Sequence, residues 1–387
     1  MKKMFMLNNE GNSAKKTGQI SLAEQSRVNP RSNTFGRRTF VKRLGLAGAA
    51  ALPAAALFIS QARARDVKGS PRLTPGDVAI LKFLAAAEIL ETDLWQQYNE
   101  LALGNLPFLK ALQQLDGDMP TYVNQNTRDE FSHQNFINHY LISKGHEPVS
   151  LEPFRNLPGS QATGSKGGKR LTNLMNLTVD TSWFNRYRFP GNSEFGDSFP
   201  QIVDLVDVPT IPNIDLPLGG DDIQVIANAA GFHFAAIEQG GTSLYASFAP
   251  KATSTEVIRI IAAIGGAEIQ HFELWQDKAG NAPEVPGRFP QLPVAPNGPD
   301  GLTFFPADGT DPSQPDFTNQ VMPAPCKFIN TSLPLVSVIR PTLNVNAGAM
   351  ATVIGLTGSG LFDGQDAVFF EKLIELAEEA DEAHSED

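Results

Sequence analysis

Two stretches of the chain, "FLAAAEILETDLW" (Phe83–Trp95) and "HFAAIEQGGTSLY" (His233–Tyr245), align without a gap. Glu88 then falls on Glu238, Thr92 on Thr242, Leu94 on Leu244 and Trp95 on Tyr245. Each stretch is followed by a Glu-x-x-His: Glu130 and His133 in "RDEFSHQNF" (Arg128–Phe136), Glu268 and His271 in "AEIQHF" (Ala267–Phe272). Three residues turn an α-helix by about 300°, so each Glu and its His leave one face a turn apart and can approach a common metal ion. The chain therefore reads as two helix pairs, each ordered Glu, then Glu-x-x-His.

The surrounding pattern supports four long helices. Thr74 before Pro75 is a favourable start, and Ile80, Leu81, Leu84, Ala87, Leu94, Trp95 and Tyr98 recur at helical spacing up to about Gly104. The second helix is expected from about Met119 to Lys144, stopped by Gly145, and the third over Asp221–Phe248. The fourth is expected from about Ser254 to Lys278, opened by a capping box in "TSTE". Residues 146–219 are rich in Gly, Pro, Asn and Ser and read as a long crossover carrying an insertion. Residues 279–387 read as a Pro/Gly-rich extension. Short strands are expected within Phe328–Gly364, and a last helix within Asp366–Glu382 with Val368, Phe369, Leu373, Leu376 and Ala377 on its apolar side. The fold class is mainly α.

Glu88 and Glu238 sit among Ala, Leu and Phe, where an unpaired carboxylate is expensive. A dication shared by four Glu and two His removes that cost, which makes Glu88, Glu130, His133, Glu238, Glu268 and His271 the candidate metal ligands. An ion-pair network without metal is the alternative. Carboxylate and imidazole donors with an open position suit iron or manganese, which bind oxygen or peroxide. Glu91 also faces near Glu88, but its repeat partner is Gly241, so Glu88 is the preferred ligand. Trp95 and Tyr245 lie seven residues past a candidate Glu and read as core aromatics beside the centre, with electron transfer as the alternative role. His139 and His233 are rotated off the ligand face and read as core or surface histidines.

This pattern resembles the ferritin-like di-iron carboxylate family over residues 75–145 and 220–278, and in particular exported ferritin-like domain proteins of the desiccation-related type. The resemblance implies a four-helix bundle with a long crossover between its second and third helices, two Fe or Mn ions, and redox chemistry on O2 or H2O2 of an oxidase, peroxidase or catalase kind linked to stress. The alternative it allows is a non-catalytic stress or desiccation-related protein whose metal site is structural or vestigial. A mineral-storing cage fits less well, because the long insertions oppose tight packing of subunits.

"GRRTFVKRLGLAGAAALPAAALFISQARARD" (Gly36–Asp66) has the plan of an export signal: a basic segment, an apolar run too short to span a bilayer, and Ala62-Arg-Ala64 as a cleavage site. Arg37-Arg38-Thr39-Phe40-Val41-Lys42 resembles a twin-arginine signal, which implies transfer by the twin-arginine translocase as a folded protein, to the periplasm or beyond. Residues 1–64 carry 11 of the 31 basic and 2 of the 42 acidic side chains, so the remainder has a formal charge of −20. A body so acidic opposes binding to nucleic acid or anionic membrane. Cys326, the single cysteine, excludes an intramolecular disulfide and reads as an idle thiol.

Overall fold

The computed structural model describes residues 72–188, 199–293, 322–324, 336–338 and 348–383, all within the compact unit Val67–Asp387. The export signal and Cys326 lie outside the described residues. Thr74 caps helix α1 (Pro75–Gly104) by accepting from the Asp77 amide at 3.1 Å, with Pro75 in the first turn where its missing N–H costs nothing. Asn105 ends α1 and caps α2 (Leu106–Leu115), accepting from the Phe108 amide at 3.0 Å. That short helix escapes a reading by long periodicity, although Asn105 and Pro107 are its start signal. Helix α3 (Met119–Ser143) closes at Gly145, whose φ of +82° is the left-handed turn glycine adopts freely.

Helices α5 (Asp221–Phe248) and α6 (Thr255–Ala279) complete the long elements. The expected capping box does not form: Ser254 makes no side-chain cap. Asp77, from the start of α1, instead accepts from the Thr253 amide at 2.9 Å and the Ser254 amide at 3.1 Å. A buried carboxylate one helix away thus neutralises the positive end of α6.

Contacts fix how the long helices run. Asn99 meets Asn124 and Trp95 meets Thr127, so α1 and α3 are antiparallel. Tyr98 meets His233 and Phe83 meets Phe248, so α1 and α5 are antiparallel too. Asn126 meets Trp275 and Tyr140 meets Glu256, which sets α6 antiparallel to α3. Helices α5 and α6 approach so closely that a Cβ on Gly265 would lie 2.8 Å from the Tyr245 Cβ, so only glycine fits there. Leu84, Trp95, Tyr98, Phe234 and Trp275 have no exposed surface between these helices, and each contributes about 1.5–3 kcal/mol by burial.

The crossover has little regular structure among its described residues: a two-residue antiparallel pair, β1 (Leu157–Pro158) with β2 (Lys169–Arg170), and helix α4 (Ser182–Arg188). A single 3-10 turn (Glu152–Phe154), isolated backbone pairs such as Leu177 with Val208, and polar anchors hold the rest. Asp93 of α1, fully buried, accepts from the amides of Leu171 at 3.0 Å and Thr172 at 2.9 Å, from Thr172 Oγ1 at 2.7 Å, and from Arg155 at 2.5 Å. In the C-terminal part, β3 (Met322–Ala324) pairs antiparallel with β4 (Val336–Val338). The valine- and isoleucine-rich run expected to hold strands does hold β4, while its far end forms helix α7 (Ala349–Gly358). Asp381, which ends helix α8 (Ala367–Asp381), caps α7 by accepting from Ala349 and Met350 amides at 3.0 and 2.8 Å. Val368, expected on the apolar side of α8, is 58 % exposed, and Ala380 is buried there instead. No helix among the described residues is long and apolar enough to cross a membrane.

Candidate metal centre

The antiparallel packing brings the aligned residues of all four long helices to one level. Glu88, Glu130, Glu238 and Glu268 are each at most 1 % exposed, and His133 is 9 % exposed. His133 Nδ1 lies 3.0 Å from Glu130 Oε2 and 3.5 Å from both Glu88 Oε2 and Glu268 Oε1. His271 Nδ1 lies 3.1 Å from Glu130 Oε1 and 3.2 Å from Glu238 Oε2. The donors fall into two sets, Glu88–Glu130–His133–Glu268 and Glu130–Glu238–Glu268–His271, with the atoms of each set within 4.8 Å of one another. Glu130 and Glu268 belong to both.

Burial of so many carboxylates has an electrostatic signature. Burial, then repulsion from Glu130 and its neighbours, holds Glu268 well above the usual carboxylate range. Glu130 is pushed up to about 7, again mainly by burial. Burial would lower His133, but its hydrogen bond to Glu130 and the adjacent Glu88 carboxylate outweigh it and raise the imidazole to about 10. His271 is raised further by Glu238, Asp129 and Glu130, against the same opposing burial. Glu91 adds a fifth carboxylate: it is half-buried, its Oε1 is shut off from solvent without a hydrogen bond, and burial first, Glu130 next, raise it strongly. Glu91 belongs to neither donor set. With both rings protonated, the cluster carries uncompensated negative charge whenever more than two of the five carboxyls are ionised.

Three oxygens mark where a cation fits. Glu88 Oε2 and both oxygens of Glu268 are buried and accept no hydrogen bond. A buried unpaired carboxylate oxygen is costly, and hard oxygen donors beside imidazole nitrogen are the donor set divalent iron, manganese or zinc accepts. Gly241 completes the fit, because a Cβ there would lie 2.3 Å from Glu268 Oε2. The residues present therefore suit a metal ion.

The raised groups fix a pH dependence for the metal-free protein. Glu130, Glu268, Glu91, His133 and His271 all bind protons more tightly folded than unfolded, so their contribution to stability falls as pH rises; buried His233, lowered to about 3, opposes them below about pH 6.5 but is one group against five. Between pH 5 and 9 the exposed acids are ionised in both states and drop out. Thermal unfolding after chelation is expected to show a higher Tm at pH 5 than at pH 9. A flat or rising profile across that window would contradict the charge balance described.

Several neighbours were not singled out in the sequence. Asn126, buried one turn before Glu130, donates to Glu130 Oε1 at 2.8 Å and Glu238 Oε1 at 2.9 Å, and accepts from Trp275 Nε1 at 2.8 Å. Its i, i+4 spacing to Glu130 was the available signal. Asp129 meets His271 Nε2 at 3.2 Å, an interaction that lowers the carboxyl. Tyr245 Oη donates to Glu88 Oε1, so this aromatic does touch the cluster. Trp95 makes no hydrogen bond through Nε1 and stacks on Trp275 with centroids 5.4 Å apart. His139 is exposed and bonded to the Asn135 carbonyl, and buried His233 meets Tyr98 Oη at 2.7 Å.

Fold and site together define a mainly helical protein with a buried glutamate–histidine cluster able to bind metal. No protein-family model, curated protein or solved structure matches the chain, so the chemistry is read from these residues themselves.

Proposed function

We propose that the chain is an exported ferritin-like protein whose four long helices hold two ions of iron or manganese. The observation that carries this reading is the pair of donor sets sharing Glu130 and Glu268. In it Glu88 and His133 would hold one ion and Glu238 and His271 the other, with Glu130 and Glu268 available to both. Such a pair, when bound, exchanges electrons with O2 or peroxide, and the reading assigns oxidase-, peroxidase- or catalase-like chemistry in stress protection. The protein supplies a low-dielectric pocket, a proton held on the Tyr245 hydroxyl against Glu88, and imidazoles fixed by carboxylates. Export in the folded state through the twin-arginine translocase, to the periplasm or medium, belongs to the same reading and rests on Arg37–Lys42.

A second reading keeps the metal as a structural pin in a non-catalytic desiccation-related protein. It is favoured by the closure of the site, whose six side chains are each at most 11 % exposed. Metal content, measured together with O2 and peroxide consumption in the wild type and in Glu238→Ala, separates the two. The redox reading expects about two ions per chain and turnover that Glu238→Ala abolishes. Bound metal without turnover gives the structural reading, and less than about half an ion per chain overturns both.

A further inference from the structure

A cavity of about 900 Å³ opens beside α5, lined by Ile237 and Gly240 of that helix, by Met350 and Ile354 of α7, and by Val203. His233 stands in its wall, 4 % exposed. His233 and Glu238 are five residues apart, so they leave α5 about 140° apart, the carboxylate toward the metal ligands and the imidazole toward the cavity.

Hydrogen bonding fixes the state of that imidazole. The Leu174 carbonyl can only accept, so Thr210 Oγ1 donates to it at 3.1 Å. Tyr98 Oη therefore donates to Thr210 Oγ1 at 2.7 Å, and His233 Nδ1–H must donate to Tyr98 Oη at 2.7 Å. Burial depresses His233 to about 3, so the ring is neutral and Nε2 carries a lone pair. Nε2 has no hydrogen-bond partner among the described residues. The cavity thus offers mainly apolar walls, with His233 Nε2 as an unpartnered acceptor among the polar lining groups, which include Gln201, Ser243 and Asp381. The exposed Asp180 and Asp204 at its edge repel anions.

From His233 an unbroken series of contacts runs to the carboxylates. The Tyr98 ring lies 5.9 Å from His233 and 5.8 Å from Trp95, and Trp95 stacks on Trp275 at 5.4 Å with planes 23° apart. Trp275 donates to Asn126, which donates to Glu130 and Glu238. Trp and Tyr are the side chains able to pass an electron at high potential, and none of these rings is exposed.

We propose that the cavity binds a phenol-class reductant, whose hydroxyl donates to His233 Nε2 and whose electron reaches the metal centre through Tyr98, Trp95 and Trp275. The electron's destination rests on the di-metal reading above; the binding does not. In one step the phenol O–H bond breaks, its proton goes to His233 Nε2, and its electron reduces the metal pair left oxidised by O2 or peroxide. A phenoxyl radical leaves.

Calorimetry on the metal-free full-length protein with 4-propylphenol and its methyl ether tests the binding. The phenol is expected to bind at least tenfold more tightly than the ether, which cannot donate. His233→Leu should bring the phenol down to the ether's affinity, and Ile237→Trp, which fills the cavity, should abolish both. Equal affinities in the wild type, or unchanged binding in Ile237→Trp, overturn the proposal. For the relay, metal-loaded protein oxidised with one equivalent of peroxide is mixed with 4-propylphenol in stopped flow. Trp95 Nε1 has no hydrogen-bond partner, so Trp95→Phe removes no bond. It should keep the wild-type Kd and slow phenol oxidation at least tenfold; oxidation at the wild-type rate overturns the relay. A chain that takes up no metal defeats the di-metal reading and the electron's destination with it, while the metal-free titration still decides the cavity.

Discussion

Glu268→Gln is expected to stabilise the metal-free protein and to destroy binding in both donor sets. Glu268 has no exposed surface, neither oxygen accepts a hydrogen bond, and four other carboxylates surround it. The amide keeps the shape, removes a buried charge and adds donors that those carboxylates can accept, worth about 1–3 kcal/mol at pH 9. The gain shrinks toward pH 5, where the raised carboxyl holds its own proton. With metal the sign reverses. An ion at a thousand times its Kd stabilises by about 4 kcal/mol, and the variant loses this at both positions because Glu268 serves both. Glu88→Gln, which touches one set, should lose about half the metal. Metal analysis and Tm, with and without chelator, read both effects. A Glu268→Gln protein that retains two ions would refute the shared role.

Asp93→Ala is expected to cost about 3 kcal/mol, because it leaves the part-buried Arg155 guanidinium with only the exposed Glu152 as an ion-pair partner. It also strips acceptors from the Leu171 and Thr172 amides and from Gln97 Nε2, which lies 3.2 Å from Asp93. Urea unfolding should show the midpoint falling. Arg155→Ala should cost less, since Asp93 keeps its other donors. A loss below about 1 kcal/mol in Asp93→Ala would show that the crossover is held to α1 by something else.

The long helices were legible because apolar burial imposes a 3.6-residue period and because Thr74, Pro75 and Gly145 mark ends by local chemistry. Observed ends fall within a residue or two of the expected ones. What failed depended on partners distant in sequence. The cap of α6 comes from Asp77, some 176 residues away, and no local pattern encodes that. The run at Ala349–Gly358 carries Val, Ile and Thr, yet Asp381 caps it into a helix from 32 residues downstream. The cluster was legible from spacing and repeat. Asn126 and Glu91 were not given their place, because an amide or a carboxylate one turn from a ligand is common on any helix surface.

Each donor set crosses the seam between the two hairpins. Glu88, Glu130 and His133 come from the first and borrow Glu268 from the second; Glu238, Glu268 and His271 borrow Glu130 in return. Neither hairpin alone supplies a full donor set, so on the proposed reading an ion would be retained only after both have docked. Metal uptake would then be a certificate of finished assembly.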